Sequence, residues 1–481
     1  MPRSRRKLRV LHVAAEIYPW VKTGGLGDVI AALPAALAAA GADLRLCLPG
    51  LPALLDAARE NEVVRLATPF AVERVRIGLA RLPGQPPAYI VDHPAFFDRP
   101  GGPYGGPDGE FPDNHRRFAL LGWVAAALAE GADPGWRPQI LHGHDWHAGL
   151  APAYLKARGS AVPSVFTVHN LAYHGLFPAA RFADLALPPE FFAIDGVEFY
   201  GDLSLMKSGL FYADQLTTVS PTYAAEILTP RYGANFDGLL QARAGVLRGI
   251  LNGVDPTVWN PAADAALPRG YGVDDAEAGK AVAKAELQRR MGLAEDATAP
   301  LFATVTRLTP QKGMDLLLAA LPGLIELGGQ FALLGNGDRD LEEGFAAAAL
   351  AEPGRVAAAL RYDEGLARLI YAGADVIAVP SRFEPCGLAQ LYALRYGALP
   401  LVRRTGGLAD TVVDADDDTA TGFAFDDETA EALLGAAARA FAVYRDPARW
   451  RGMVWQAMTR DFSWAAAARE YLTLYRELAP T

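Results

Sequence analysis

Within its first fifty residues the chain runs through a short apolar stretch, a glycine-rich turn, a long apolar helix and a second apolar stretch. No other feature constrains the fold as much. Residues 8–14 (LRVLHVA) read as a buried strand, 23–27 (TGGLG) as a loop, 28–40 (DVIAALPAALAAA) as a helix and 43–48 (DLRLCL) as the next strand. Gly41 suits the left-handed position just past a helix end. Two strands joined through a helix that packs back on them run parallel in one sheet.

The same rhythm returns later. Residues 300–306 read as a strand, 313–327 as a helix and 330–335 as a strand, with further strands at 355–360, 374–380 and 398–402. Strand candidates at 138–142, 164–168 and 215–219 fill the first half. A chain of 481 residues has room for two or three domains. The pattern predicts an α/β protein of two doubly wound, Rossmann-like domains. The turn formers Asn252, Gly253, Pro256 and Pro261 place the boundary near 251–261. Residues 462–478 form an amphipathic terminal helix. Residues 98–114 hold too much Gly, Pro and Asp for regular structure, and predict an ordered functional loop or a mobile flap.

Composition excludes several classes. A net charge of −10 lacks the basic footprint of a nucleic-acid binder. Two cysteines, Cys47 and Cys386, make no disulfide scaffold and suit a reducing cytoplasm. Every apolar run is broken before 18 residues, so no membrane span is expected.

Six motifs follow strands and carry candidate chemistry. In KTGGLGD (22–28), a glycine turn opens a helix, where backbone amides and the helix dipole meet an anion and Lys22 adds a charge. Its glycines, 24, 25 and 27, fit neither the dinucleotide fingerprint nor the P-loop. HGHDWH (142–147) invites a metal reading. It offers no clear third and fourth ligand, so Asp145, Trp146 and His147 suit a sugar-binding rim better, and at least one histidine should be a satisfied core residue. TVHN (167–170) puts His169 and Asn170 at a strand end. RLTPQKG (307–313) places Arg307 and Lys312 in one loop, a fork and a point charge suited to a diphosphate. SRFEPCGL (381–388) carries Glu384 ahead of a helix, with no second carboxylate identifiable for glycosidase-like chemistry. RRTGGLAD (403–410) nearly copies the first glycine turn.

Together these motifs resemble the ADP-glucose-dependent glycogen (starch) synthase family, from EIYPWVKTGGLGDV through ILNGVD to TGGLADTV. The resemblance implies the GT-B architecture, with two Rossmann-like domains facing a central cleft. Residues 1–253 would take the glucan, 254–460 the nucleotide sugar, and a helix in 461–481 would cross back to the first domain. It implies retaining transfer of glucose from ADP-glucose to the 4-hydroxyl end of an α-1,4-glucan, with no metal or other cofactor, in the cytoplasm.

Carried over by match, Glu384, His169, Arg307 and Lys312 would form the reacting centre. Lys22, Gly24, Gly25, Asp28, Asn252, Tyr362, Cys386, Gly387, Thr405, Gly406 and Gly407 would complete the ADP-glucose site, with Tyr362 at the adenine. Tyr104, Asp145, Trp146, His147 and Asn170 would face the acceptor. Many wider relatives carry a second Glu eight residues after the first. Tyr392 stands there, as the glycogen synthase branch has it. Another retaining glucosyltransferase with a small acceptor, or a glucan-binding protein without activity, are the competing readings.

Overall fold

The computed structural model describes residues 7–71, 73–107 and 109–479. The chain divides into two compact units. One holds residues up to Gly253 together with the stretch from Trp464, and the other spans Val254–Ser463.

In the first unit the described residues form a nine-stranded sheet. Side by side lie the strands beginning at Leu247, Gln215, Ser164, Ile140, Arg9, Asp43, Ala88, Val75 and Glu62. All pairings are parallel except those of Val75–Ala80, which runs antiparallel to Ala88–Asp92 and to Glu62–Leu66. This antiparallel edge was not among the expected strands. Glu62–Leu66 buries none of its residues fully, and such a half-wet edge strand lacks the continuous apolar signal of a central one.

The opening unit forms as the sequence predicts, with strand Arg9–Val13, helix Gly25–Ala39 and strand Asp43–Pro49. Gly41 has φ +100° and donates its amide to Ala38. The terminal helix Trp464–Leu478 lies beside helix Gly25–Ala39. Its Trp464, Tyr471, Leu472 and Tyr475 share a core with Val10, Leu33, Leu37, Ile140 and Val165.

The described residues between 98 and 114 are tied together at two places. Arg99 pairs with Asp113 at 2.6 Å, and Gly105–Gly106 pairs with Gly109–Glu110. Beneath it the buried guanidinium of Arg117 donates to the carbonyls of Phe96 (2.7 Å) and Pro103 (2.9 Å), supplying the partners an interior charge needs.

In the second unit six strands, all parallel, lie in the order Val356, Gln330, Leu301, Val376, Leu399 and Phe423. The sheet is covered by a single large apolar core. In each unit the first strand has its successor on one side and a much later strand on the other. Arg9–Val13 lies between Asp43–Pro49 and Ile140–His144, and Leu301–Val305 between Gln330–Leu334 and Val376–Val379. At such reversals the loops after neighbouring strands diverge and open a crevice at their carboxyl ends. Four of the six candidate motifs follow the strands at these two places, and TVHN and RRTGGLAD follow the next strands out, Ser164–Val168 and Leu399–Arg403.

Candidate functional site

Both sets of candidate residues are built by loops that leave the carboxyl ends of parallel strands. In the first unit, strand Arg9–Val13 runs on to Glu16, which the sequence reading did not single out. The Glu16 carboxylate accepts the amides of Thr23 (2.7 Å) and Gly24 (3.2 Å), and its other oxygen accepts the Tyr104 hydroxyl at 2.5 Å. The glycine turn therefore does bind an anion, but the anion is the protein's own carboxylate. Lys22, expected to supply a free charge, is paired with Asp28 at 2.8 Å. A Cβ at Gly24 or Gly25 would meet nothing within 4 Å, so these glycines face open space.

Asp145 opens a short helix directly after strand Ile140–His144 and adopts φ +55°, which aspartate tolerates better than most residues. Its carboxylate accepts the amide of His169 at 2.7 Å, tying two strand ends together. Burial pushes its carboxyl up to about 7, against the amide hydrogen bonds of His169 and Asn170 that hold it down. Tyr104 stacks on His147 with ring centres 4.7 Å apart and lies 6.0 Å from Trp146. Trp146 and Asn170 keep partial exposure and suit a rim. His147 does not, being buried behind Tyr104 with its Nδ1 unpaired among the described residues. Asn252, at the end of this unit, is also buried, with its side-chain oxygen unpaired among the described residues.

The structure brings a third histidine beside His142 and His144 that lies outside the HGHDWH motif. His12, in the adjacent strand, is the register partner of His142, and the ring nitrogens of His12, His142 and His144 gather within 4.8 Å. Every ring nitrogen of the three already has a hydrogen-bond partner. These partners are Thr167, Tyr475, His169 and one another, so an ion could enter only by breaking that chain. Burial lowers the basicity of all three, holding His12 near 3. His142 is the satisfied core histidine the motif led us to expect.

In the second unit, Glu384 is buried and its Oε2 accepts from Lys312 (2.6 Å) and from Ser381 (2.9 Å). The three line one pocket with Thr304, Gly387 and Met314, at the reversal between strands Leu301–Val305 and Val376–Val379. Lys312 was expected to hold a diphosphate. Its charge is already matched by Glu384, whereas Arg307 is exposed and makes no ion pair among the described residues. Arg403 is a strut that sequence reasoning missed. Buried, it donates to the carbonyls of Ser381 (3.0 Å) and Arg382 and holds the loop that carries Glu384.

Thr405 to Gly407 were expected to offer amides to the diphosphate. Of these, the Gly407 amide donates to Glu384 O at 3.0 Å and Pro385 O at 3.2 Å. Added Cβ atoms would lie 2.0 Å from Glu384 O at Gly406 and 2.0 Å from Cys386 O at Gly407. These glycines let two loops touch backbone to backbone. Gly387, at φ +73°, fits a turn closed by Gln390, which donates to the carbonyls of Cys386 and Gly387 at 2.9 Å each. Tyr362 follows strand Val356–Ala359 and is 83% exposed, free to stack on a planar ligand. Tyr392 packs flat on Trp259 at 3.6 Å, which explains how an aromatic serves where wider relatives have a carboxylate.

The starch synthase catalytic domain family matches residues 9–242, and the group 1 glycosyl transferases match 288–451. The glycogen synthase of Edwardsiella ictaluri is 53% identical over 98% of this chain and 99% of its own length. That of Yersinia pseudotuberculosis is 53% identical over 98% of this chain and 100% of its own. Among solved structures, the catalytic domain of starch synthase IV from Arabidopsis thaliana, bound to ADP and acarbose, superposes with a TM-score of 0.85 at 33% identity, over 98% of this chain and 99% of that one. Sucrose-phosphate synthase from Thermosynechococcus elongatus shares the fold, with a TM-score of 0.60 at 21% identity over 98% of this chain and 99% of that one. With both domains matched in order and half of all residues identical across nearly its whole length, the chain belongs to the glycogen and starch synthase family of GT-B glycosyltransferases.

Proposed function

We propose that this glycosyltransferase moves glucose from ADP-glucose to the non-reducing 4-hydroxyl of an α-1,4-glucan, with retention at the anomeric carbon and without a metal ion. The observation that carries the reading is the Lys312–Glu384–Ser381 cluster, with Arg307 in the same loop as Lys312, exposed and without an ion pair among the described residues. In the reaction the bond from the anomeric carbon to the diphosphate oxygen breaks and negative charge grows on the departing diphosphate. Fixed cations placed there stabilise that charge more than they stabilise the substrate. Arg307 binds the diphosphate, and Lys312 bridges it to Glu384.

Glu384, held on one oxygen by an ammonium and a hydroxyl, acts as an acceptor for the sugar's hydroxyls and not as the nucleophile. The acceptor 4-hydroxyl attacks from the face the diphosphate leaves, and its proton passes to the leaving phosphate oxygen. His169 bonds the donor glucose. Trp146, Tyr104 and Asn170 form the glucan rim, where an indole packs on the apolar face of a sugar. The exposed ring of Tyr362 stacks on adenine.

Support comes from the glycogen synthases at 53% identity and from the starch synthase structure that binds ADP. The test is transfer of labelled glucose from ADP-glucose and from UDP-glucose, each offered glycogen and free sugars. Polymer extension with ADP-glucose is expected. Transfer only to a free sugar, or only from UDP-glucose, would refute the proposal.

A further inference from the structure

A single hydrogen-bonded chain runs through the core of the first unit from Thr217 to His169. Thr217 Oγ1 lies 2.5 Å from Thr167 Oγ1, which lies 2.6 Å from His142 Nε2. His142 Nδ1 is 2.6 Å from the Tyr475 hydroxyl, which is 3.2 Å from His12 Nε2. His12 Nδ1 is 2.9 Å from His144 Nε2, and His144 Nδ1 is 3.0 Å from His169 Nε2. Four strands and the terminal helix contribute, and every member but His169 is buried.

Each link holds one proton, and a neutral imidazole has one N–H and one lone pair. The links run one way through each ring, and a hydroxyl that accepted from both sides would leave its own hydrogen buried without an acceptor, so all the links point the same way. If they run from His169 toward Thr217, the Thr217 hydroxyl receives a proton from Thr167 and its own hydrogen has no acceptor among the described residues. A buried donor without an acceptor is costly. If they run from Thr217 toward His169, every hydrogen inside the chain is accepted. The last proton emerges on His169 Nδ1, which has no protein partner among the described residues and whose ring retains some exposure. The second direction wins.

We infer that Tyr475, His12 and His144 are positioning residues that hold His169 in its Nδ1–H form, so that it meets the donor sugar as a hydrogen-bond donor. This rests on the placement of His169 beside the donor glucose. The direction is not what isolated imidazoles would choose, since a free histidine side chain favours the Nε2–H form. The hydroxyls at the head of the chain impose it on all four rings. The terminal helix, packed in the core of the first unit, would thereby set the proton at the reacting end.

The test uses the full chain labelled with ¹⁵N in its histidine rings. Long-range ¹H–¹⁵N spectra of the unliganded protein should show His12, His142, His144 and His169 all protonated at Nδ1. Tyr475→Phe removes the link between His142 and His12 and keeps the aromatic packing. It should let a substantial Nε2–H population appear at His169 and lower kcat by about threefold or more, with the KM for the donor unchanged. Thr217→Val is the control. The Thr167 hydroxyl must still donate to His142, so the His169 signature should not move.

An unchanged His169 signature in Tyr475→Phe, a shift in Thr217→Val, or one zinc ion per chain held by these histidines would overturn the inference. The spectra need no substrate. A protein that shows the expected signatures but does not use ADP-glucose would overturn the proposed reaction and leave the proton chain standing.

Discussion

Gly406→Ala probes how the second glycine turn serves the site. Its φ of +44° lies in the left-handed region, where an alanine costs roughly 1–2 kcal/mol more than glycine. The larger cost is steric. The new Cβ would sit 2.0 Å from Glu384 O and 2.8 Å from its carbonyl carbon. Ordinary carbon–oxygen contacts begin near ~3.3 Å, so the loop bearing Glu384 must retreat by more than about 1 Å. That retreat lengthens the 3.0 Å bond from the Gly407 amide to Glu384 O and draws the carboxylate off Lys312, now 2.6 Å away. A misplacement of about 1 Å costs on the order of 100-fold in rate.

Strain and the weakened hydrogen bond together should destabilise by about 2–4 kcal/mol, lowering Tm by roughly 5–15 °C. Initial rates of glucose transfer at saturating glycogen should fall by about 100-fold at a temperature where circular dichroism shows both proteins folded. A variant with kcat within twofold of the parent under those conditions would refute the reasoning, whatever its Tm.

Gly24→Ala is the counterpart. With nothing within 4 Å of the new methyl, Tm should stay within about 1 °C, and the donor KM should rise if the nucleotide sugar approaches that open backbone, as steady-state kinetics would show. Glu16→Gln removes the charge that gathers the amides of Thr23 and Gly24 and the Tyr104 hydroxyl, and should cost about 1–3 kcal/mol in denaturant unfolding and lower kcat/KM. Acid stability follows from five neutral histidines, the buried 12, 142, 144 and 147 and the partly buried 169. Their folded pKa values lie below the unfolded one, so the stability they carry is full above pH 6.5 and is lost as pH falls toward 3. Asp145, raised to about 7, works oppositely between pH 4 and 7, so unfolding at pH 5 should take up about four protons from these groups. Stability that stays flat between pH 7 and 5 would contradict this.

Most of the parallel strands were legible because they are largely apolar runs buried on both faces, as in Ser164–Val168 and Gln330–Leu334, whereas the parallel-paired Ala88–Asp92, Leu247–Gly249 and Phe423–Phe425 were not among those expected. The antiparallel edge was not legible, since Glu62–Leu66 is too wet to stand out. Among site residues, those on glycine turns and strand ends were found. Glu16, Arg403 and His12 were missed because each acts through a partner distant in sequence. Arg403 works on the carbonyls of residues 381 and 382, and the His12 network includes Tyr475, 463 positions away. No local pattern encodes such a partner.

The two TGG turns show the limit most clearly. TGGLGD and TGGLAD differ by one residue, and each follows a strand and opens a helix. Local chemistry therefore assigns them one role, an amide cradle for a ligand anion. The folded chain separates them by what stands opposite. In the first turn a carboxylate from the preceding strand end takes the amides, and the glycines face open space. In the second turn the carbonyls of Glu384 and Cys386 press within 2.0 Å of where side chains would begin, so the glycines are demanded by packing. The same six-residue phrase thus leaves room for a ligand's approach in one unit and fixes a carboxylate in the other. Paired alanine variants separate the two: Gly24→Ala should change donor affinity at constant stability, and Gly406→Ala should change stability and kcat together.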